Sequence, residues 1–300
     1  MKERKVMKYN LSLLVANALF ALNFSLFVSV IEGGRLSIGA IYILETLLFG
    51  AASALLCMLF GAHLRMRVAD AVSLAAMGII SALGWSYATL RGMELTSPID
   101  AATIASVGPS LTLILAHFLG RRHLTPLRLL GLAITLAGVA ILVSGLRFIG
   151  ASSHMIRGNL LLTMAMAIAA VNTLIIKLPL QKYGILPVAF YYSLAACAVS
   201  LPIFWGDLGS LSIENMRLGD SAQMLLLLLL GGALPLMLLF EGTEYLSPLH
   251  TSLYRYIQPL VTTAIVLLRG QAQLSTGNYI ALAAITLGGL LMAKGVRRSS

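Results

Sequence analysis

Apolar residues run along this chain in long unbroken stretches, separated by short polar breaks. The strict alternation that a barrel strand needs is missing. A helix crosses a bilayer with about 20 mostly apolar residues. That ruler predicts ten spanning helices, at residues 9–31, 36–60, 70–92, 97–119, 126–147, 157–178, 185–205, 220–241, 247–268 and 276–295. The breaks carry turn-forming residues: Gly33-Gly34, Ser97-Pro98, Thr125-Pro126, Leu186-Pro187 and Ser247-Pro248. No break is long enough for a soluble domain. The expected fold class is an all-α integral membrane protein.

The pattern repeats. "RGMELTSP" (91–98) matches "EGTEYLSP" (241–248) through Gly92/Gly242, Glu94/Glu244 and Ser97-Pro98/Ser247-Pro248, at an offset of half the 300-residue chain. The offset persists at Pro109/Pro259, Gly120/Gly270 and Leu124/Leu274. It persists again at Gly131, Gly138 and Gly145, which pair with Ala281, Gly288 and Gly295. The chain reads as a duplicated five-helix unit, 1–147 and 148–300. Five is odd, so the two copies insert in opposite orientations. Two inverted five-helix repeats are a common build of secondary transporters, with the binding site between the repeats. The small residues of spans 5 and 10 form a smooth stripe that favours close helix packing.

Composition agrees. The chain is 59% apolar and 11% charged, with a mean hydropathy of +0.92. Its net charge of +10 would point to nucleic acid in a soluble protein; here positive-inside bias accounts for it. With the N-terminus in the cytoplasm, the inner segments hold 14 Lys and Arg (Lys2, Arg4, Lys5, Lys8, Arg65, Arg67, Arg121, Arg122, Arg128, Lys177, Lys182, Lys294, Arg297, Arg298). The outer segments hold 6 (Arg35, Arg91, Arg147, Arg157, Arg217, Arg269). Both termini are therefore expected inside, in a multi-pass protein of the bacterial inner membrane. The basic N-terminus and its apolar run read as a retained first span, too long for a signal peptide. Cys57 and Cys197 lie in apolar runs and read as buried small residues.

One cation breaks the rule. Arg255 lies in span 9, about 12 Å along the helix from Ser247. A charge at that depth costs about 2.5–3.5 kcal/mol unless it meets water or a partner. Thr251, Arg255, Gln258 and Thr262 share one helix face, opposite Leu253, Ile257, Leu260 and Ala264. The matching face of span 4 is small: Ala101, Ala105, Gly108 and Thr112. Two roles stay open for Arg255. Its donor fork suits a substrate carboxylate or phosphate; alternatively it forms a structural ion pair with Glu45, the acid deep in span 2. Glu45 in turn is a coupling group or only compensates Arg255. Trp85 and Tyr87 of span 3 could shape an aromatic cavity. Asn17, Asn23 and Asn172 are either ligands or interhelical glue, and Tyr191-Tyr192 read as packing or interface anchors.

The stretches "SPIDAATIASVGPSLTLILAHFLGRRHLTP" with "LAGVAILVSG", and "SPLHTSLYRYIQPLVTTAIVLLRG" with "ITLGGLLMAKG", resemble the drug/metabolite transporter superfamily in its ten-span form with two EamA-like domains. The resemblance covers nearly the whole chain. It implies a central cavity lined by spans 1, 3, 4, 6, 8 and 9, alternating access, and export of small metabolites, often amino acids. The chain departs from the family pattern in three places. Arg121-Arg122 follow Gly120, Glu45 stands where span 2 often has arginine, and span 9 holds Arg255.

The expected function is an inner-membrane secondary transporter, an exporter of a small anionic or zwitterionic metabolite such as an amino acid. Arg255, Gln258, Thr251, Asn17, Trp85, Tyr87 and Asn172 are the candidate binding residues, with Glu45 for coupling or ion pairing. The rival reading is a membrane enzyme or binding protein for lipid-linked substrates. HExxH, P-loop, GxSxG and dinucleotide glycine patterns are missing, so neither enzyme chemistry nor a metal or cofactor is expected. The expected partners are a small-molecule substrate and the lipid bilayer, with a homodimer left open and no nucleic acid.

Overall fold

The computed structural model describes residues 2–32, 36–120, 125–143, 153–210, 218–270 and 276–297. Gly33-Gly34, Arg35, Arg121, Arg122, Leu124, Gly145, Arg147, Arg217, Leu274 and Arg298 lie outside the described residues.

The described residues are helical, without strands, and form ten rods. They are α1 (Lys2–Glu32), α2 (Ile38–Leu59), α3 (Val68–Ser81 through Ala88–Glu94), α4 (Pro98–Ala105 and Gly108–Phe118), α5 (Pro126–Val143), α6 (Ser153–Ile175 and Lys177–Tyr183), α7 (Ile185–Phe204), α8 (Leu218–Leu228 through Leu234–Tyr245), α9 (Pro248–Leu253 and Ile257–Leu268) and α10 (Thr276–Arg297). Seven of them, α1 to α4 and α6 to α8, are long and apolar enough to cross a membrane. The apolar stretches of α5 and α10 are shorter, over Pro126–Ile141 and Thr276–Met292. α9 is interrupted at Tyr254–Tyr256.

The interruptions follow from proline. Pro109 and Pro259 have no N–H, so the carbonyls of Ala105 and Arg255 have no partner four residues on. The chain tightens locally: Val107 N–H donates to Ile104 O at 2.9 Å, and Tyr254–Tyr256 becomes a 3-10 turn. In α8 a π-helical turn at Leu229–Ala233 precedes Pro235. α3 has a π-helical turn of its own at Ala82–Tyr87. Ser97 and Ser247 cap α4 and α9 alike, accepting from Asp100 N–H at 3.1 Å and His250 N–H at 3.2 Å. Gly120 and Gly270 both end their helices at positive φ, 66° and 65°.

Two pairs of corresponding helices, α2 with α7 and α5 with α10, run antiparallel. Between α2 and α7, Tyr42 Oη meets Ser200 Oγ at 2.6 Å, Cys197 Sγ reaches Thr46 O at 3.3 Å, and Cys57 Sγ reaches Leu186 O at 3.4 Å. Between α5 and α10, Gly131 faces Gly288, and Gly138 faces Ala281. Pairing also survives exchange of the halves: α1 packs on α8 and α9, as α6 packs on α3 and α4.

The connections fall at two ends. At one, Lys8 pairs with Glu241 at 2.6 Å, Lys182 with Asp70 at 2.6 Å, and Lys177 donates to Leu246 O. At the other, Ser37 donates to Asp207 at 2.7 Å, Arg91 pairs with Glu94, and Thr96 donates to Asn159 at 2.7 Å. Arg128, one of the inner cations, lies in the first turn of α5, where Thr125 Oγ1 accepts from its N–H at 3.3 Å, and it is only 1% exposed.

Candidate functional site

The breaks in α3, α4, α8 and α9 surround a cavity of about 90 Å³. One water needs ~10–15 Å³, so the space suits a small molecule. Eight rods contribute lining residues, with α5 and α10 outside the described lining. The expected set of spans 1, 3, 4, 6, 8 and 9 is present. It is joined by α2, through Tyr42, Glu45, Thr46 and Phe49, and by α7, through Tyr192 and Ala196. These two rods pack on each other across the middle of the molecule, which brings their inner faces to the cavity.

Arg255 lies at the 3-10 turn of α9 and is 7% exposed. Its guanidinium lies 5.9 Å from the Trp85 ring centroid, and Nη1 is 3.5 Å from Met166 Sδ. The aromatic face contributes about 0.5–2 kcal/mol. That does not outweigh burial of a charge, and most of the five N–H donors lack an acceptor among the described residues. The small face of α4 makes the room: a Cβ on Gly108 would sit 2.7 Å from Arg255 Cδ.

Glu45 lines the same cavity and is also 7% exposed. Its Oε1 has no hydrogen-bond partner among the described residues. Gly231, in the π-helical turn of α8, makes its room: a Cβ there would collide with Oε1. Asn23 holds that turn by donating from Nδ2 to Leu227 O at 3.0 Å, a backbone group that a π-helical turn releases. Among the described residues Arg255 and Glu45 form no ion pair. The guanidinium of Arg255 and the carboxyl group of Glu45 face one space without pairing.

The other candidates divide. Gln258 lines the cavity and donates to Asn17 Oδ1 at 2.8 Å. Asn17 stands behind it, also donating to Leu13 O at 2.8 Å. Trp85 is in the lining. Thr251 is buried outside it, its Oγ1 without a hydrogen-bond partner among the described residues. Thr262 is tied to α1 through Ala21 O at 3.1 Å. Asn172 stands behind the cavity and donates to Tyr192 Oη at 3.3 Å. Tyr87 lines a separate vestibule with Arg91, Glu94, Phe204 and Asp207.

Sequence reasoning missed Tyr42, Phe49 and Met166 and read Tyr192 as packing or an interface anchor. One signal was available: Tyr42 and Tyr192 are 150 residues apart, the repeat offset, on the two rods that carry it. No group of three or more metal-ligating side chains occurs among the described residues.

Known proteins extend this picture. A solved structure described as "Crystal structure of protein" is 20% identical and superposes with a TM-score of 0.69, covering 97% of this chain and 98% of that one; it shares the fold. The "Uncharacterized transporter YyaM" of Bacillus subtilis (strain 168) is 32% identical over 75 residues, which are 25% of each protein. That match spans a quarter of the relative's length. The EamA-like transporter family model matches residues 7–144 and 156–294, nearly the whole chain, and the protein belongs to the EamA-like transporter family.

Proposed function

We propose that this membrane transporter is a secondary transporter of the bacterial inner membrane that exports a small anionic or zwitterionic metabolite, with amino acids the leading class. Its ten rods span the bilayer as two inverted five-helix repeats, 1–147 and 148–300, and the repeats rock about the cavity between them. The antiparallel course of α2 with α7 and of α5 with α10 supports the inversion. The Lys and Arg excess beside the end with Lys8, Lys177 and Lys182 supports both termini in the cytoplasm.

The observation that carries the substrate class is a guanidinium and a carboxyl group that face one cavity without pairing. Arg255 has donors to spare and Glu45 an acceptor, in a chamber walled by Phe20, Trp85 and Tyr192. Arg255 takes the carboxylate, Gln258 braced by Asn17 orients the fork, and Glu45 lies opposite as ammonium partner or coupling group. The test is counterflow into liposomes preloaded with candidate metabolites. Zwitterions and monocarboxylates should exchange. Exchange confined to cations or neutral sugars would overturn the reading.

A further inference from the structure

Two aromatic clusters flank Glu45 along α2. The first joins Tyr42 of α2, Tyr87 of α3 and Phe204 of α7. Its ring centroids are 5.4 Å apart for Tyr42–Tyr87, 4.9 Å for Tyr42–Phe204 and 4.7 Å for Tyr87–Phe204. The second joins Phe49 of α2, Tyr192 of α7 and Phe240 of α8, at 6.4, 6.4 and 5.7 Å. Exchange of the halves maps α2, α3 and α7 of the first cluster onto α7, α8 and α2 of the second. Tyr42 and Tyr192 correspond at the repeat offset. Tyr42 and Phe49 are seven residues apart on one helix, about 10 Å along its axis, and Glu45 lies between them.

The first cluster stands between two spaces. Tyr42 faces the cavity that holds Arg255 and Glu45. Tyr87 and Phe204 face the vestibule of about 360 Å³ with Arg91, Glu94 and Asp207. Tyr42 is fully buried, and its hydroxyl is fixed against Ser200 Oγ at 2.6 Å. The rings belong to three rods, of which α2 and α3 are in the first half and α7 in the second. In the proposed rocking of one half against the other, Phe204 would part from Tyr42 and Tyr87. Rings packed edge-to-face and tilted resist water and ions but hold each other by only about 0.5–1.5 kcal/mol per pair beyond burial, which suits a barrier that opens repeatedly.

We propose that Tyr42, Tyr87 and Phe204 form a gate between the vestibule and the cavity, so that the vestibule is the access route to Arg255 on that side of the molecule. The inference rests on the cavity being the transport site, but its test needs no transported substrate. In full-length protein with Cys57→Ala and Cys197→Ala, Ala105→Cys places one thiol in the cavity lining. The protein is held in lipid nanodiscs and labelled with a charged trimethylammonium methanethiosulfonate. With the three rings intact, labelling should be slow. Tyr87→Ala with Phe204→Ala should speed it at least tenfold, whereas Tyr87→Phe, which keeps the ring, should leave it unchanged. Should the double variant not fold, as judged by thermal melting, Phe204→Leu alone should speed labelling about threefold. Unchanged labelling in a folded variant with reduced rings would overturn the gate, whatever the counterflow assay gives. Faster labelling without counterflow would keep the barrier and sink the transport reading instead.

Discussion

At the residue scale, the candidate site rests on two ionisable side chains held in glycine notches. Arg255 fits because Gly108 has no side chain, and Glu45 fits because Gly231 has none. Gly108→Val therefore forces the guanidinium from its place over Trp85. Overpacking of this kind costs about 1–3 kcal/mol. We expect substrate affinity in counterflow to fall about tenfold or more, with a lower melting temperature. Gly206→Ala is the control, since nothing lies within 4 Å of the added methyl, and it should change neither. Wild-type affinity in Gly108→Val would show that Arg255 has room to spare. The anomaly of Arg255 was legible in the sequence because a cation inside an apolar run stands out against its neighbours. The aromatic wall was not. Phe49, Tyr192 and Met166 are ordinary membrane residues; the place of the first two in the lining depends on how α2 and α7 cross, and that of Met166 on how α6 packs against α3 and α4. Asn17 and Asn172 were legible as polar residues in a membrane. That they brace Gln258 and Tyr192 rather than face the cavity depends on side-chain direction, which spacing along one helix does not fix.

At the element scale, the breaks matter more than the helices. Pro109 and Pro259 interrupt α4 and α9 at equivalent positions, and Pro235 follows the π-helical turn of α8. The prolines and the repeat offset could be read directly. The π-helical turns could not, because one extra residue in a helical turn leaves the apolar pattern almost unchanged. The helix ends agree with the sequence ruler to within a few residues over most of the chain. They diverge most at α1 and α6, where Lys2–Val6 and Lys177–Tyr183 continue the helix through polar residues that a hydropathy ruler stops at. The small stripe of spans 5 and 10 brings backbones together: a Cβ on Gly288 would lie 2.5 Å from Gly131 O and 2.9 Å from Thr135 N. Gly288→Ala should therefore lower the melting temperature of purified protein by several degrees, consistent with ~1–3 kcal/mol of overpacking. Leu287→Ala, on the exposed side of α10, should have a much smaller effect. Equal melting of the two variants would show that α5 and α10 are not in backbone contact.

At the scale of the whole molecule, the halves share one plan, and departures from it mark the site. Arg255 faces the place of Ala105, and neither Glu45 nor Arg255 has a charged counterpart at the repeat offset, since Ala195 and Ala105 stand there. The two halves thus differ in these ionisable residues, which fits the proposed asymmetric substrate. In the proposed ten-span arrangement both termini lie on one side, and the Lys and Arg bias favours the cytoplasm for that side. A reporter fused after Ser300 should therefore be active only in the cytoplasm, and activity on the outer face would reverse the orientation. The central claim is that Arg255 holds the substrate anion rather than acting as a strut for Glu45. The most direct test is liposome counterflow by Arg255→Met with Glu45→Gln, in which both charges are removed and no buried charge is left alone. Our account predicts a folded protein with wild-type melting to within a few degrees and no exchange of carboxylate substrates; exchange at the wild-type rate would contradict it.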